Sequence, residues 1–146
     1  MLIMVQHMMT IDNCKAFYDS WQMECCGTPF AVGDKIKWLV LTVEKDDLFT
    51  SVDLGDVDYC YEAHSSRWQE LSVLEGTVGK IEILYQKYEP SQDNPRYLVP
   101  VGGELISTDR VQGFEKDSGD LKVTGYLVAL RDCTLRPARQ EEVTFK

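Results

Sequence analysis

The stretch that decides the fold is residues 35–44, which read KIKWLVLTVE. β-Branched and aromatic residues dominate it, and apolar side chains occupy both faces near its middle. This pattern, directly after a Gly33-Asp34 turn signal, predicts a buried β-strand. Residues 77–88 and 121–130 have the same character and predict two further long strands.

Shorter strand signals fill most of the remaining chain. They predict strands at 57–63, 97–101, 104–107, 114–116 and 142–145, and tight turns at Gly102-Gly103 and at 117–120. The strands at 114–116 and 121–130 are predicted to form a hairpin around the second turn. The segment 57–63 alternates apolar and acidic residues, which is typical of a half-buried strand with an acidic outer face. Sequential hairpins favour antiparallel pairing, because parallel strands need long crossover connections.

Helix signals are sparse in this sequence. The best one covers residues 64–71, where Ser66 and Gln69 have the spacing of a capping box. We therefore expect a mostly β fold, a small antiparallel and partly open barrel of the SH3-like or OB-like type, with at most one short helix near residues 64–71. The length predicts a single domain over 1–146, with residues 1–10 as a frayed or extra N-terminal segment.

The composition excludes several classes of protein. A chain of 146 residues with 44% hydrophobic and 27% charged residues is globular rather than disordered. Its net charge of −9 argues against nucleic acid and anionic membranes as partners. There is no apolar run long enough to span a membrane and no basic start of a secretory signal. The five cysteines are an odd, irregularly spaced set, which favours reduced thiols in a cytoplasm.

The acidity is concentrated in residues 44–62. Seven acids and one base give this segment a net charge of −6. The spacing of its acids does not match an EF-hand loop, so a solvated acidic edge is the better interpretation. A charged partner that met this edge would be basic or a cation.

Residues 18–38 read YDSWQMECCGTPFAVGDKIKW and contain the most specific motif. This stretch resembles a family of small, uncharacterised bacterial proteins, a domain of unknown function, that share a W-Q-M-x-C-C-G-x-P-F-x-V-G block. The block is matched here by Trp21, Gln22, Met23, Cys25, Cys26, Gly27, Pro29, Phe30, Val32 and Gly33. The resemblance implies a bacterial, cytoplasmic protein and implies no particular activity.

The leading functional hypothesis is a non-enzymatic binding or interaction module. Gly27 and Pro29 predict a turn, and aromatic, thiol and imidazole side chains cluster around it in sequence. The candidate binding residues are Trp21, Cys25, Cys26, Phe30, Trp38 and His64. No catalytic residue is assigned, and the expected partner is a protein or a small-molecule ligand. An exposed edge strand of an open barrel would also allow a homodimer by strand pairing.

The alternative hypothesis is a zinc-binding or thiol-dependent enzyme. Thiolates and imidazole are zinc ligands, and the weak candidates for them are Cys25, Cys26, Cys60 and His64. The spacing lacks a C-x-x-C pair, and Cys60 lies in a strand pattern that turns its side chain away from that of Tyr61. We therefore expect no cofactor, with zinc as the alternative and buried apolar cysteines as the simpler interpretation.

Overall fold

In the computed structural model, the described residues are 8–43, 50–62 and 68–143, and for Cys25 and Cys26 only the backbone is described. These ranges contain eight strands, one α-helix and two 3₁₀ turns. The elements are β1 Met9–Asp19, α1 Ser20–Cys26, β2 Phe30–Ala31, β3 Lys35–Thr42, β4 Tyr59–Tyr61, a 3₁₀ turn at Trp68–Glu70, β5 Ser72–Pro90, β6 Leu98–Thr108, β7 Arg110–Val111, β8 Lys122–Pro137 and a 3₁₀ turn at Gln140–Glu142. Within these ranges no helix is long and apolar enough to cross a membrane.

Five of the strands close into a barrel. Their order is β3-β4-β1-β8-β5, and pairing between β3 and β5 completes the ring. β6 adds a sixth strand beyond β5, and β2 pairs with β7 as a separate two-stranded sheet. The predicted mostly β barrel is therefore confirmed. β6 lies outside the closed ring and is the edge strand of the sheet.

The length of β5 explains how the ring closes and still carries a sixth strand. Its first residues pair with β3, from Ser72 opposite Val40 to Thr77 opposite Lys35. Its later residues, from Ile81 onwards, pair with β6 on that same side, while β8 pairs along the other edge. Register shifts in the β5–β8 ladder show bulges, which bend and twist strands enough for a small barrel to close.

One pairing departs from the antiparallel expectation. β1 and β4 run parallel, with Ala16 opposite Tyr59 and Phe17 opposite Cys60. Parallel neighbours need a long connection, and here α1, β2 and β3 lie between the two strands in sequence and supply it. The expectation that sequential hairpins give antiparallel pairs is wrong here, because β4 lies between β1 and β3 in the sheet. Of these two neighbours, β4 pairs antiparallel only with β3.

The α-helix lies at Ser20–Cys26, where the sequence did not predict one. Seven residues are too few for a clear helical period, and such a short helix depends on packing rather than on propensity. Met23 and Gln22 supply that packing, because both are buried. In the predicted helical region, the described residues form the 3₁₀ turn Trp68–Glu70, and residues 64–67 lie outside the described residues.

The predicted Gly102-Gly103 turn is wrong. Both glycines lie inside β6, opposite Lys87 and Gln86 of β5. A side chain at Gly103 would overlap the carbonyl oxygen of Tyr85, so glycine is used there for close strand approach rather than for a turn.

Two other predictions near the C-terminus need correction. The turn at 117–120 keeps a single bridge between Ser118 and Leu121, but residues 114–117 form no strand, and β8 pairs with β1 and β5 instead. The strand predicted at 142–145 is replaced, in its described part, by the 3₁₀ turn Gln140–Glu142, which a bidentate contact between Arg136 and Glu142 holds against β8.

Alternate residues of the barrel strands fill the barrel interior. Ala16 and Tyr18 of β1, Val40 of β3 and Tyr126 and Val128 of β8 are almost completely buried. They belong to one apolar cluster. Cys14 and Cys133 are part of the same cluster, and their sulfur atoms lie 3.5 Å apart. Burial raises the pKa of both thiols, which makes them core residues rather than nucleophiles.

Candidate functional site

Four aromatic rings meet at the end of the barrel where β1 and β4 finish. Tyr18 and Tyr61 stack with their centroids 3.8 Å apart and their planes 12° from parallel. Trp38 packs edge-on against Tyr18 and Phe30, with centroid distances of 5.3 and 5.2 Å. Offset and edge-to-face contacts of this kind are the favourable arrangements for aromatic side chains, so the cluster forms a rigid apolar wall.

Local structure on either side positions this cluster. α1 follows β1 directly, and the side-chain amide of its Gln22 donates a hydrogen bond of 3.0 Å to the carbonyl oxygen of Tyr61. Gly27 ends the helix, and a side chain there would overlap the hydroxyl of Tyr18 and Met23. The chain then turns through Thr28 and Pro29, which brings Phe30 onto Trp38.

A cleft of about 710 Å³ lies against this wall, and we call it the β3 cleft. Its residues come from β1, the turn after α1, β2, the turn before β3, β3, β4, β5 and the C-terminal 3₁₀ turn. They are Tyr18, Thr28, Pro29, Phe30, Asp34, Lys35, Ile36, Lys37, Trp38, Leu39, Tyr61, Val73 and Glu142. Clefts that bind small molecules have volumes of roughly 300–1,000 Å³ and combine apolar walls with a few polar groups, as this one does.

The two acids that line the β3 cleft are engaged within the protein. Asp34 accepts a hydrogen bond of 2.8 Å from the backbone N–H of Ala31. Glu142 accepts two hydrogen bonds from the guanidinium of Arg136, at 2.7 and 2.5 Å, and one from the backbone N–H of Arg139. The side-chain hydrogen bonds with Arg136 are the main reason that the pKa of Glu142 is lowered to about 2.

The two basic residues that line the cleft differ from these acids in their contacts with the rest of the protein. Lys35 and Lys37 are exposed, and neither forms an ion pair with any residue that the structure describes. Glu75 lies opposite Lys37 in the β3–β5 register, yet no ion pair joins the two side chains. Asp34 and Glu75 are exposed acids close to these lysines, so charges of both signs are present at this part of the protein.

Burial raises the pKa of two titratable groups beside the aromatic cluster and so favours their neutral forms. Burial, followed by the hydrogen bond with Tyr61, raises the pKa of Tyr18 far above its usual range. The pKa of Asp19 is also raised, first by burial and then by the negative charge of Glu62, while Gln22 opposes the shift. Tyr18 consequently contributes an apolar surface and not a base at physiological pH.

The structure divides the binding residues that the sequence singled out. Phe30 and Trp38 both line the β3 cleft and touch each other. Trp21, on α1, is about half exposed and does not line the cleft. The side chains of Cys25 and Cys26, and the whole of His64, lie outside the described residues, so their predicted roles stay predictions.

The zinc hypothesis also stays a prediction, for the same reason. Among the residues that the structure describes, no three His, Cys, Asp or Glu side chains are grouped so as to hold a metal ion. Cys60 is half-buried and packs with Phe17 and Leu54, whereas Tyr59 and Tyr61 face the barrel interior. This confirms that Cys60 turns away from Tyr61, and therefore away from the aromatic cluster.

Sequence reasoning missed several residues of the β3 cleft. Tyr18 and Tyr61 belong to strands far apart in the sequence, and only the parallel β1–β4 pairing brings their rings together. Lys35 and Lys37 carried a usable signal, since lysines two residues apart on a strand share one face. Glu142 carried none, because its place beside β3 depends on the course of the C-terminal segment.

The edge-strand homodimer stays a prediction. Within the described ranges, β6 pairs with β5 alone, so its outer edge is the place where a second copy could add a strand. Leu98, Val101 and Ile106 of this strand are exposed apolar residues. In the described part of the acidic segment, Asp53 accepts a hydrogen bond from the backbone N–H of Gly55 and Asp58 from that of Lys15.

Comparisons with known proteins agree with the resemblance drawn from the sequence. A family model, that of a family of unknown function (DUF6578), matches residues 12–132. This range begins within β1 and ends within β8, and therefore includes all or most of every strand of the closed barrel. No curated protein and no solved structure matches the chain. Since the match covers most of its length, the chain belongs to this family of unknown function, DUF6578.

Proposed function

We propose that this protein is a non-enzymatic binding module whose ligand is a small molecule held in the β3 cleft. The observation that carries the proposal is a cleft of about 710 Å³ lined by the packed aromatic cluster of Tyr18, Phe30, Trp38 and Tyr61. Tyr61 is half-buried, and the other three rings are buried behind it. Rigid aromatic walls bind flat apolar groups well because little conformational freedom is lost when the ligand enters.

A binding role accounts for the site better than catalysis does. The acids that line the cleft are committed to internal hydrogen bonds, and Tyr18 is neutral. Among the described groups that line the cleft, no acid is hydrogen-bonded to a nucleophilic side chain, which is the arrangement that covalent catalysis uses. The zinc or thiol enzyme centred on Cys25, Cys26 and His64 is the alternative function, and metal analysis of the purified protein tests it separately.

The cellular setting belongs to the same proposal. We propose a bacterial cytoplasm, on the strength of the resemblance and of the buried reduced pair Cys14 and Cys133. The net charge of −9 and the exposed acids favour a protein that stays free of nucleic acid and of anionic membranes.

The test is a binding screen with a variant that fills the cleft. A panel of one- and two-ring aromatic compounds is screened by ligand-observed NMR against the wild type. Thr28 is exposed on the rim of the cleft, so Thr28→Trp places an indole in the cleft without disturbing the core. We expect compounds that bind the wild type to lose at least about tenfold in affinity for this variant, because the volume they need is occupied.

The matched control is Thr10→Trp, which adds the same side chain at an exposed threonine on β1, away from the cleft lining. It should bind the panel like the wild type. The proposal is wrong if no aromatic compound binds, or if Thr28→Trp and Thr10→Trp bind equally well while both show the circular dichroism of the folded wild type.

A further inference from the structure

We propose that Cys14 and Cys133 are an oxidation site of this protein, at which a hydroperoxide converts the two thiols into a disulfide that joins β1 to β8. The free thiols of the structure are the reduced form, and the disulfide is the form made by oxidation. Neither cysteine lines the β3 cleft, so this site is independent of the proposed ligand site.

The contact between the two sulfur atoms is the first ground for the proposal. The thiol of Cys14 donates a hydrogen bond of 3.5 Å to the sulfur of Cys133, although the two residues lie 119 positions apart in sequence. A disulfide bond is about 2.05 Å long, so the sulfurs need to approach by roughly 1.5 Å. Groups that are already in contact react with each other more readily than separate ones, because the fold has already brought them together.

The backbone around the pair is irregular. In the β1–β8 ladder, Asp12 lies opposite Cys133 and Cys14 lies opposite Leu130, with register shifts on both sides of Asp12. Asp12 and Asp132 also have positive φ angles, of 65° and 53°. Bulges of this kind interrupt the regular ladder and change the local twist of the strands. We therefore expect the two strands to adjust more easily here than in the middle of a regular ladder.

A cleft separate from the β3 cleft gives an oxidant access to one of the thiols. Its volume is about 510 Å³, and Cys14 lies in its lining. Cys14 is 6% exposed and Cys133 is 0% exposed, so Cys14 should react first and only with a small oxidant. Burial raises the pKa of both thiols, which keeps the reactive thiolate scarce. The bond should consequently form over hours rather than seconds.

The reaction consumes one hydroperoxide for each disulfide. The Cys14 thiolate attacks one oxygen of the hydroperoxide, so an S–O bond forms and the O–O bond breaks, and the other oxygen leaves as an alcohol or as water after taking up a proton. Cys14 is then a sulfenic acid. The sulfur of Cys133 attacks the sulfur of Cys14, and the hydroxyl group leaves as water with the proton of the Cys133 thiol. The two thiols together lose two electrons, which the hydroperoxide accepts.

The experiment treats the full-length protein with hydrogen peroxide for several hours, alkylates the remaining thiols in denaturant and digests the monomer with trypsin without reduction. Cys14 is the only cysteine in the tryptic peptide 1–15, and Cys133 is the only one in 132–139, where Pro137 blocks cleavage after Arg136. We expect mass spectrometry to find these two peptides joined and lighter by two hydrogen atoms. A dithiol reductant should separate them again.

A second measurement follows the effect of the bond on the fold. We expect peroxide treatment to raise the melting temperature by about 4 °C or more, because a cross-link between residues so far apart restricts the unfolded chain. Cys14→Ala should abolish both the linked peptides and this rise. The matched control is Cys60→Ala, which removes a half-buried thiol from a different apolar cluster and should keep both.

Each part of the proposal can fail separately. Peptides 1–15 and 132–139 that remain alkylated and unlinked, or that link only to the cysteines of peptides 16–35 and 46–67, would overturn the disulfide. Linked peptides with no rise in melting temperature, or with an equal rise in Cys14→Ala, would overturn its stabilising role. None of these results bears on ligand binding in the β3 cleft.

Discussion

At the scale of single residues, one charged contact joins the C-terminal segment to β8, in addition to the packing of Ala138 and Val143 against Leu71 and Val73. Arg136 and Glu142 form a bidentate pair that is mostly shielded from solvent, with side-chain exposures of 19% and 15%. Glu141, its neighbour, is 74% exposed and lies 3.8 Å from Arg139. Hydrogen bonds between charged groups stabilise folded proteins more when they are shielded, so the two adjacent glutamates should differ clearly in importance.

We expect Glu142→Gln to lower the free energy of unfolding by about 1.5–3 kcal/mol near neutral pH, because it breaks a charged hydrogen-bonded pair. The folded-state pKa of Glu142 lies below its ordinary value, so the contribution is present above about pH 4.5 and is lost as the pH falls towards about 2. Urea unfolding across this pH range measures the change.

Glu141→Gln is the control for this prediction and should cost less than about 0.5 kcal/mol. The difference between Glu142→Gln and the wild type should shrink steadily as the pH approaches 2. A destabilisation that stayed constant down to that pH would contradict the account, since it would not come from the ionised carboxylate.

At the scale of the elements, the long strands were predictable and their ends and partners were not. Residues 35–44 and 77–88 show β-branched, alternating patterns, and the structure has β3 and β5 there. The helix α1 escaped prediction because its stability depends on burying Met23 and Gln22 against the barrel, which no local pattern records. The turn prediction at Gly102-Gly103 is wrong for a related reason. Paired glycines usually mark turns, and no local pattern records their pairing with β5.

The two adjacent glycines of β6 give a direct test of the β5–β6 ladder. We expect Gly103→Ala to lower the free energy of unfolding by roughly 1–3 kcal/mol, because the new Cβ would overlap the carbonyl oxygen of Tyr85 and crowd Gln86. Gly102→Ala should change it by less than about 0.5 kcal/mol, since no heavy atom lies within 4 Å of that position. Urea unfolding of both variants checks the pair.

A turn at Gly102-Gly103 would produce a different result. Two exposed turn glycines would respond similarly to alanine, or the one with a positive φ angle would respond more. Neither glycine has a positive φ. Equal and small effects at both positions would therefore show that β6 does not pair with β5 in this register.

At the scale of the whole molecule, sequence reasoning reached the class of the fold and one part of the candidate site. Phe30 and Trp38 were identified because aromatic residues near a Gly-Pro turn indicate a packed pocket wall. Tyr18 and Tyr61 required the closed ring, since their stacking depends on the parallel pairing of β1 with β4. Non-local contacts of this kind decide the architecture of a barrel and leave little trace in a single sequence.

The closed ring also brings acidic and basic residues together at the β3 cleft. Barrel closure places the start of β3 beside β5 and beside the C-terminal turn that carries Glu142. Lys35, Lys37 and the exposed Asp34 lie at this end, together with Glu142, which is paired with Arg136. The overall charge of −9 therefore does not describe the charge of this cleft.

The central claim is that the β3 cleft is the ligand site, and chemical-shift mapping tests it most directly. The aromatic compound of the panel that binds most tightly is titrated into ¹⁵N-labelled protein, and the backbone amide shifts are followed residue by residue. The account predicts that the largest shifts fall on residues 28, 30, 34–39, 61 and 73, which line the cleft. Shifts concentrated on residues 50–58 or along β6, with residues 34–39 unchanged, would contradict it.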